Sequence, residues 1–209
     1  MYGILYGVGV GPGDPELMTL KAVRLIRETD VIAVPGAEVK ETVAYQIAVQ
    51  AAPELAGKEL VPVYMPMTHD KTVMRENHRK GADLLEGYLK AGKEADGYKT
   101  VLVSGITSFC AAAARVNRPL AEWNEQLHVM PAVHRLDAEL DQPGNYVLMK
   151  SGKKMDQVKE ILKKSGRSVC MVENCGMEEE RIYHSVEEIP DDAGYYSLII
   201  AKEKSKVHD

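Results

Sequence analysis

The sequence predicts an α/β protein built from two domains. In the first half, short apolar runs suited to strands alternate with amphipathic segments suited to helices; the runs cover residues 4–10, 31–34, 59–63 and 100–103. This alternation is typical of a mostly parallel sheet with helices on both faces. In the second half, apolar runs follow one another around a single long helix, which favours a mixed sheet; the runs cover residues 127–130, 145–149, 168–172 and 196–201, and the helix 155–164.

A break in the pattern separates the two halves. Asn117, Arg118 and Pro119 follow an alanine-rich helical segment at residues 109–115 and interrupt the apolar periodicity. Asparagine and proline both favour turns, because the first tolerates unusual backbone angles and the second cannot continue a helix. We therefore predict an N-terminal domain over residues 1–118 and a C-terminal domain over residues 119–209.

The first strand leads into a glycine-rich turn and then a helix. Asp14 has the side chain of a helix N-cap, and Pro15 suits the first helical position. The turn contains four glycines, Gly7, Gly9, Gly11 and Gly13. Glycine gives the backbone conformational freedom and allows a ligand to approach it closely. Their spacing does not match the G-x-G-x-x-G fingerprint of dinucleotide sites, and Pro12 and Asp14 would crowd and repel a pyrophosphate. A turn without any ligand is the remaining simple interpretation of this loop taken by itself.

Composition excludes several classes of function. The 209 residues carry a formal net charge of −5, which disfavours nucleic-acid binding. No apolar run approaches the roughly 18 residues of a membrane span, and Met1 leads directly into the first strand, which predicts no targeting segment. Three cysteines without a pairing pattern predict a reduced, cytoplasmic protein, and their spacing predicts no metal site.

One connection in the first half breaks the alternation. Residues 88–93 and residues 94–99 both resemble a helix end followed by a glycine stop, and no strand-like run separates them. A parallel sheet needs a strand there, so one strand and one helix are missing around Lys93 and Glu94. A natural deletion and a segment omitted from the printed chain both explain this, and the sequence pattern favours the second.

Several motifs together resemble one family, the class III tetrapyrrole methyltransferases, which use S-adenosylmethionine (SAM). The most specific is a glycine–proline–aspartate loop followed by T-L-K-A. The motifs cover residues 9–15, 17–22, 104–109, 146–150, 172–175 and 195–200. Within that family, residues 43–47, 107–115 and 119–121 are most similar to the precorrin-2 C(20)-methyltransferases of cobalamin biosynthesis.

The resemblance implies two α/β domains with the active-site cleft between them, usually assembled as a homodimer. It also implies a second loop, of glycine, aspartate and proline, that holds SAM after a strand in the middle of the first domain. That loop would fall at Lys93 and Glu94, where the strand and helix are missing. The related uroporphyrinogen methylases have an aspartate where this chain has Pro35, which disfavours sirohaem-type methylation.

Candidate SAM-binding residues lie where predicted strands end. Thr107 and Ser108 begin a helix and can offer N–H groups and hydroxyls to a carboxylate, and Met149 can offer a soft apolar contact. An N-cap role and core packing are the alternatives for these residues. With the resemblance, the implied SAM-binding set is Pro12, Thr107, Ser108, Met149, Cys175, Ser197 and Leu198.

Candidate substrate-binding residues follow from the carboxylates of a tetrapyrrole. The glycine loop, through Gly11, Gly13 and Asp14, is implied to line the tetrapyrrole cleft. Basic side chains should pair with the carboxylates, and His134 and Arg135 are preferred among a set that also contains Arg115, Arg118 and Lys150.

Glu173 and Asn174 could orient the substrate, although Asn174 could equally form a turn. The catalytic proton acceptor is not identified; the candidates are Tyr45, Tyr146 and Tyr196.

The sequence therefore predicts a SAM-dependent C-methyltransferase acting on C-20 of precorrin-2 or cobalt-precorrin-2, with no nucleic acid, membrane or resident metal among its partners. Whether the substrate carries cobalt is left open. Two alternatives also stay open. One is another class III methylase, similar to diphthine synthases or rRNA methylases. The other is a non-catalytic module that binds SAM or a tetrapyrrole, which the missing loop would favour.

Overall fold

Two units of nearly equal length form the chain, Met1–Ile106 and Thr107–Asp209. The computed structural model describes residues 3–68, 70–90, 99–132 and 136–204. The sequence pattern placed the boundary after residue 118 instead of 106. The difference is the alanine-rich helix, whose Ala112 and Ala113 pack against strand residues of the second unit. The predicted α/β class is confirmed, with parallel strands in the first unit and a mixed sheet in the second.

Among its described residues, the first unit contains four strands in two separate parallel pairs. Strand β1 pairs with β4, and β2 pairs with β3, in the predicted parallel direction. The single sheet that the sequence predicts is therefore split in the described part of the chain. The helices and strands of the first unit are β1 (Ile4–Val8), α1 (Leu20–Glu28), β2 (Val31–Pro35), α2 (Val43–Ala51), β3 (Glu59–Val63), α3 (Lys71–Lys90) and β4 (Lys99–Val103).

Helix α1 begins later than the sequence predicts. Asp14 caps a short 3-10 turn, Pro15–Leu17, by accepting a hydrogen bond from the Glu16 N–H at 2.8 Å. Thr19 is the N-cap of α1, because its hydroxyl accepts from the Ala22 N–H at 3.2 Å. Asp14 is thus an N-cap and Pro15 a first helical residue as predicted, but of the 3-10 turn. The amphipathic helix itself begins after Thr19, where the sequence had predicted it to follow Asp14 directly.

A continuous apolar cluster holds the first unit together. Ala22, Leu25 and Ile26 of α1 pack with Val34 of β2 and with Leu55, which lies in a 3-10 turn after α2. Side chains from β1 and β4 reach the same cluster, so both parallel pairs share one core. Burial of this apolar area is the main stabilising contribution that the first unit offers.

The second unit is built on a five-stranded mixed sheet in the order β5-β6-β9-β7-β8. Strands β5 and β6 are parallel, and the other neighbours are antiparallel. The sheet is therefore mixed, as the consecutive apolar runs predicted. Helix α5 was not predicted because it is only one turn long. The elements are α4 (Ser108–Arg115), β5 (Leu127–Pro131), α5 (Leu136–Leu140), β6 (Asn145–Met149), α6 (Met155–Ser165), β7 (Ser168–Glu173), β8 (Arg181–Tyr183) and β9 (Ser197–Lys202).

The three central strands of this sheet are buried on both faces. Tyr146 and Leu148 of β6 pack with residues of α5 and α6 on one side. Val147 of the same strand packs with Ala112 and Ala113 of α4 on the other side. Helices therefore cover both faces of the sheet, and the near-continuous apolar runs of the sequence reflect that burial.

No helix among the described residues is long and apolar enough to cross a membrane. The interrupted connection at Lys93 and Glu94 lies outside the described residues. That a segment is missing from the printed chain at this connection stays a prediction.

Candidate functional site

The glycine loop of the first unit is held by direct contact between two backbones. The Gly9 N–H donates to the Val103 carbonyl at 2.9 Å, which extends the β1–β4 pairing into the loop. A Cβ atom added to Gly9 would lie 2.8 Å from the Gly105 nitrogen, and one added to Gly105 would lie 3.2 Å from the Gly11 nitrogen. Side chains cannot fit between these strand ends, so glycine is required for the two loops to meet.

The other predicted residues of this loop, Gly11 to Asp14, differ in conformation, burial and hydrogen bonding. Gly11 has φ of +84°, a conformation that side chains rarely adopt. Gly13 is buried, Pro12 is half-buried, and the Asp14 carboxylate is engaged by the turn that follows it. The predicted roles of Gly11, Pro12, Gly13 and Asp14 toward a ligand stay predictions. Gly105 was given no role from the sequence, although its position directly after a strand was a usable signal.

Three predicted SAM-binding residues of the second unit belong to one apolar cluster. Met149, at the end of β6, lies opposite Leu198 of β9 in the strand register. Both pack with Cys175, with Val172 of β7 and with the face of α4. The structure thus brings together Met149, Leu198 and Cys175, which the sequence places far apart.

Helix α4 begins beside this cluster with two polar residues. Phe109, one residue into the helix, packs against the cluster. Thr107 is the N-cap by position and is exposed, but its side chain makes no capping hydrogen bond. Its carbonyl accepts from the Cys110 and Ala111 N–H groups. The N-cap interpretation of the Thr107 hydroxyl is therefore wrong, and this hydroxyl is not used by the helix. Ser108 occupies the first position of α4 and is half-buried.

Ser197 differs from the other predicted SAM-binding residues of the second unit because its hydroxyl already makes a hydrogen bond within the protein. It is buried and donates to the Gly194 carbonyl at 2.6 Å. The Gly194 N–H donates in turn to the buried carboxylate of Glu173, which also accepts from the Tyr183 hydroxyl. Burial, and then the hydrogen bond to this carboxylate, raises the pKa of Tyr183 above its ordinary value. Glu173 therefore anchors the loop before β9.

The loop after β6 contains a polar group that sequence reasoning did not identify. Lys150 has φ of +59° and is exposed. Ser151 is completely buried, and its Oγ has no hydrogen-bond partner among the described residues. Buried hydroxyls are normally paired, so an unpaired one two residues after Met149 is a position where a ligand group could be bound. Nothing in the sequence distinguishes this serine from a turn residue.

Two of the five candidate basic residues are engaged by other protein groups. Arg115 forms an ion pair with Glu180, and Arg118 donates to the Ser168 hydroxyl at 3.0 Å. Lys150 is the exposed candidate on the loop after β6. His134 and Arg135, the preferred pair, lie outside the described residues, and their assignment to the substrate stays a prediction.

The three tyrosines proposed as proton acceptors differ in their exposure to solvent. Tyr146 is 1 % exposed, donates to the Gln142 carbonyl at 2.9 Å and stacks on His128. Tyr45 is buried in the core of the first unit. Tyr196 is 50 % exposed, directly before Ser197, and is the one of the three whose ring a ligand could reach without rearrangement.

Candidate metal ligands and the thiol of the buried cysteine Cys170 bear on the chemistry open to this chain. No group of three or more histidine, cysteine, aspartate or glutamate residues in the described ranges could hold a metal ion. Cys170 is fully buried, and burial raises the pKa of its thiol above the ordinary value. What the described surfaces offer is backbone at glycine loops, one helix N-terminus and an apolar cluster, which are groups that bind and orient.

The family model of the tetrapyrrole (corrin/porphyrin) methylases matches residues 4–95 and 90–190. The chain belongs to this family. The resemblance drawn from the sequence motifs is thereby confirmed. The two matched stretches of the tetrapyrrole methylase model meet at residues 90–95, which is where the sequence lacks a strand and a helix.

Curated relatives within the tetrapyrrole methylases match over nearly the full chain. The probable cobalt-precorrin-2 C(20)-methyltransferase of Methanocaldococcus jannaschii is 28% identical over 225 residues, covering 95% of each chain. The precorrin-2 C(20)-methyltransferase of a Sinorhizobium species is 27% identical, covering 95% of this chain and 94% of the relative.

Solved structures of tetrapyrrole methylases share the fold. Uroporphyrin-III C-methyltransferase from Thermus thermophilus, solved with S-adenosylhomocysteine, is 21% identical and has a TM-score of 0.61. The alignment covers 96% of this chain and 92% of that one. The predicted cleft between the two domains stays a prediction.

The glycine contact yields a stability test. Gly9→Ala should lower the free energy of unfolding by about 1–3 kcal/mol, because its methyl group would overlap the Gly105 backbone. Gly87→Ala is the matched control: it lies inside α3 with nothing within 4 Å, and should raise stability by about 0.5–1 kcal/mol. Urea denaturation followed by circular dichroism measures both. A Gly9→Ala variant as stable as the parent would contradict the close backbone contact.

Proposed function

We propose that this chain transfers a methyl group from SAM to C-20 of precorrin-2 or cobalt-precorrin-2 in cobalamin biosynthesis. The observation that carries the proposal is similarity over nearly the whole length to relatives that bear this activity in their names, at 28% and 27% identity. Membership of the tetrapyrrole methylases accords with a C-methyltransferase. The proposal covers both substrates, because no described side chain distinguishes a cobalt-bearing ring.

The second unit offers surroundings that fit SAM. When bound, SAM supplies an activated methyl group, and the chain has only to hold donor and acceptor carbon in line. We assign its apolar part to Met149, Leu198 and Cys175, which form one cluster with α4. The exposed Thr107 and the adjoining Ser108, at the N-terminus of α4, suit a carboxylate. The unpaired Ser151 hydroxyl supports a polar contact at the same strand end. Ser197 contributes its backbone, since its hydroxyl is paired.

We assign contacts with the tetrapyrrole to the loop after β1 in the first unit and, separately, to basic residues of the second unit. Gly11 and Gly13 give the loop after β1 a backbone without side chains, and Pro12 stiffens it. His134 and Arg135 are the proposed partners of substrate carboxylates, with Lys150 as the exposed candidate among the described residues. Tyr196 is the proposed proton acceptor, because it is the exposed tyrosine of the three candidates.

A second candidate function is a non-catalytic module that binds SAM or a tetrapyrrole. The observation that favours it is the shortened connection: the family matches meet at residues 90–95, where the resemblance implies the second SAM-holding loop. Such a module would keep ligand binding and lose methyl transfer, so the two candidates give different results in the two experiments below.

Binding of S-adenosylhomocysteine tests the assigned SAM residues. Thr107→Val combined with Met149→Ala should weaken binding by about 1–3 kcal/mol, through loss of hydrogen bonding and packing. Helix fraying is not expected, because the Thr107 hydroxyl makes no capping bond. Thr100→Val with Met67→Ala is the matched control, at exposed positions of the first unit, and should leave affinity unchanged. Isothermal titration calorimetry measures all three proteins; equal affinities would show that the assigned site is wrong.

Methyl transfer separates the enzyme from the binding module. Incubation with precorrin-2, with and without cobalt, and with isotopically labelled SAM should give a product that carries one labelled methyl group at C-20. Mass spectrometry and NMR of the product identify the position. Binding of S-adenosylhomocysteine without transfer to either substrate would favour the module, and absence of both would remove the two candidates together.

We further propose that the chain acts in the cytoplasm as a homodimer and without nucleic acid. Three free thiols accord with a reducing compartment, and the net charge of −5 accords with the absence of nucleic acid. The homodimer follows from the family resemblance alone. Sedimentation equilibrium should give twice the 23.1 kDa of the chain; a single-chain mass at micromolar concentration would contradict the dimer.

A further inference from the structure

The buried carboxylate of Glu173 lies on the face of the second sheet that is turned away from the candidate SAM-binding cluster. Alternate residues of a strand point to opposite faces of a sheet. Met171, two residues before Glu173 in β7, packs with residues of α5 and α6 on one face. Val172 packs on the other face, together with Met149 and Leu198. An influence of Glu173 on a ligand held at that cluster therefore has to pass through other groups.

Both oxygens of the Glu173 carboxylate accept hydrogen bonds from residues outside β7. Oε1 accepts from the Gly194 N–H at 2.5 Å, and Oε2 accepts from the Tyr183 hydroxyl at 3.1 Å. The ladders that join β7 to β8 and β9 consist of main-chain groups and make no use of this side chain. Burying a carboxylate is costly unless hydrogen bonds replace the lost water. The sheet pairing does not need this carboxylate, whereas the position of Gly194 depends on it.

The loop before β9, residues 193–196, is held at two further places. The Ser197 hydroxyl donates to the Gly194 carbonyl at 2.6 Å. The Asn174 N–H, directly after β7, donates to the Tyr196 carbonyl at 3.1 Å. Connecting loops are ordinarily more mobile than the strands they join, whereas this one is tied to the sheet at several points.

The loop after β6 packs against the same segment. A Cβ atom added to Gly152 would lie 2.8 Å from the Ala193 carbonyl oxygen and 2.9 Å from the Gly194 carbonyl oxygen. Glycine allows this close approach of two backbones. The segments that follow β6 and β7 are thus in direct contact with the loop before β9, and Glu173 holds that loop from beneath.

Two exposed tyrosines are carried by this loop. Tyr195 is 53% exposed and Tyr196 is 50% exposed. Their ring centroids lie 5.4 Å apart and their planes are at 82°, an edge-to-face arrangement that stabilises aromatic pairs. Aromatic side chains on a loop that is already fixed lose little conformational entropy when a ligand binds. The pair is therefore suited to contact a large flat ligand, and Tyr196 is also the proposed proton acceptor.

We propose that Glu173 is a positioning residue of the methyl transfer, because its carboxylate fixes the loop that presents Tyr195 and Tyr196 to the tetrapyrrole. This inference rests on the proposed function and deepens it. It adds Tyr195 as a substrate contact. The orienting role that the sequence allows for Glu173 is thereby indirect, since the side chain is 7% exposed and both of its oxygens are engaged within the protein.

Kinetics of two variants test this role. Glu173→Met keeps the size of the side chain and removes both acceptors, so the displaced loop should lower kcat at least about tenfold. Affinity for S-adenosylhomocysteine, measured by calorimetry, should stay within about twofold of the parent, because Met149 and Leu198 lie on strands that do not use this side chain. Glu173→Gln keeps an oxygen for the Gly194 N–H and offers an NH₂ to the Tyr183 hydroxyl, so its kcat should lie within about threefold of the parent.

Asn145→Leu is the matched control for a loss of stability alone. Asn145 is 1% exposed, lies at the opposite end of the same sheet and donates to the Leu120 carbonyl at 2.9 Å. This variant should melt at a lower temperature, with kcat within about twofold of the parent. Gly194→Ala is a second variant, on the exposed loop itself, for the case that Glu173→Met does not fold. Its methyl group would lie 3.0 Å from a Glu173 carboxylate oxygen. The loop should therefore shift and kcat should fall at least about threefold.

Three results would overturn the proposal. The first is a parental kcat in Glu173→Met or in Gly194→Ala. The second is an equal loss of kcat and of S-adenosylhomocysteine affinity in Glu173→Met, which would indicate a structural effect. The third is a Glu173→Gln variant as slow as Glu173→Met, because the negative charge and not the hydrogen bond would then matter. A parent chain that transfers no methyl group would refute the proposed function and this inference with it, and that result is distinct because it appears without any variant.

Discussion

The parallel pairing of β1 with β4 is the interaction on which the first unit depends. These strands lie at opposite ends of that unit, and their alignment from Ile4 with Lys99 to Val8 with Val103 brings both ends into one place. The pairing continues one residue further, where Gly9 meets the backbone that follows β4. Because this contact excludes side chains, it links the strand register to the geometry of the glycine loop. A shift by one residue would separate the loops and expose core side chains.

The second unit depends on the burial of its central strands. Its central strands are apolar on both faces, so their order is fixed by the helices that pack against each side. Met149, Leu198 and Cys175 meet because β6, β9 and the end of β7 are held in register. The polar groups at the same end are arranged around Glu173, whose carboxylate binds the Gly194 N–H and the Tyr183 hydroxyl. The proposed binding residues thus lie on neighbouring strands of one sheet, and the loop before β9 is tied to a buried acceptor, Glu173.

Local features were predictable from sequence, and features that depend on neighbours were not. Strand β6 matches its apolar run residue for residue, because a buried strand has few alternatives. Helix α1 was displaced by one turn because two caps compete, Asp14 and Thr19, and Leu20 is exposed although it fits the apolar spacing. The candidate cluster of the second unit was found only through family motifs, and the unpaired Ser151 hydroxyl has no sequence signal. The single sheet predicted for the first unit is instead two separate parallel pairs among the described residues, which the alternation of strands and helices did not predict.

Two prolines limit how the β2–β3 pair can behave in solution. Pro35 lies on the outer edge of β2 and Pro62 on the outer edge of β3, since the residues next to each of them bond across the pair. Neither edge can present a full row of donors, and proline is tolerated in a strand at such positions. Exposed edges otherwise promote the stacking of one molecule on the next into aggregates. The two prolines should therefore help this small sheet to stay dispersed at high protein concentration.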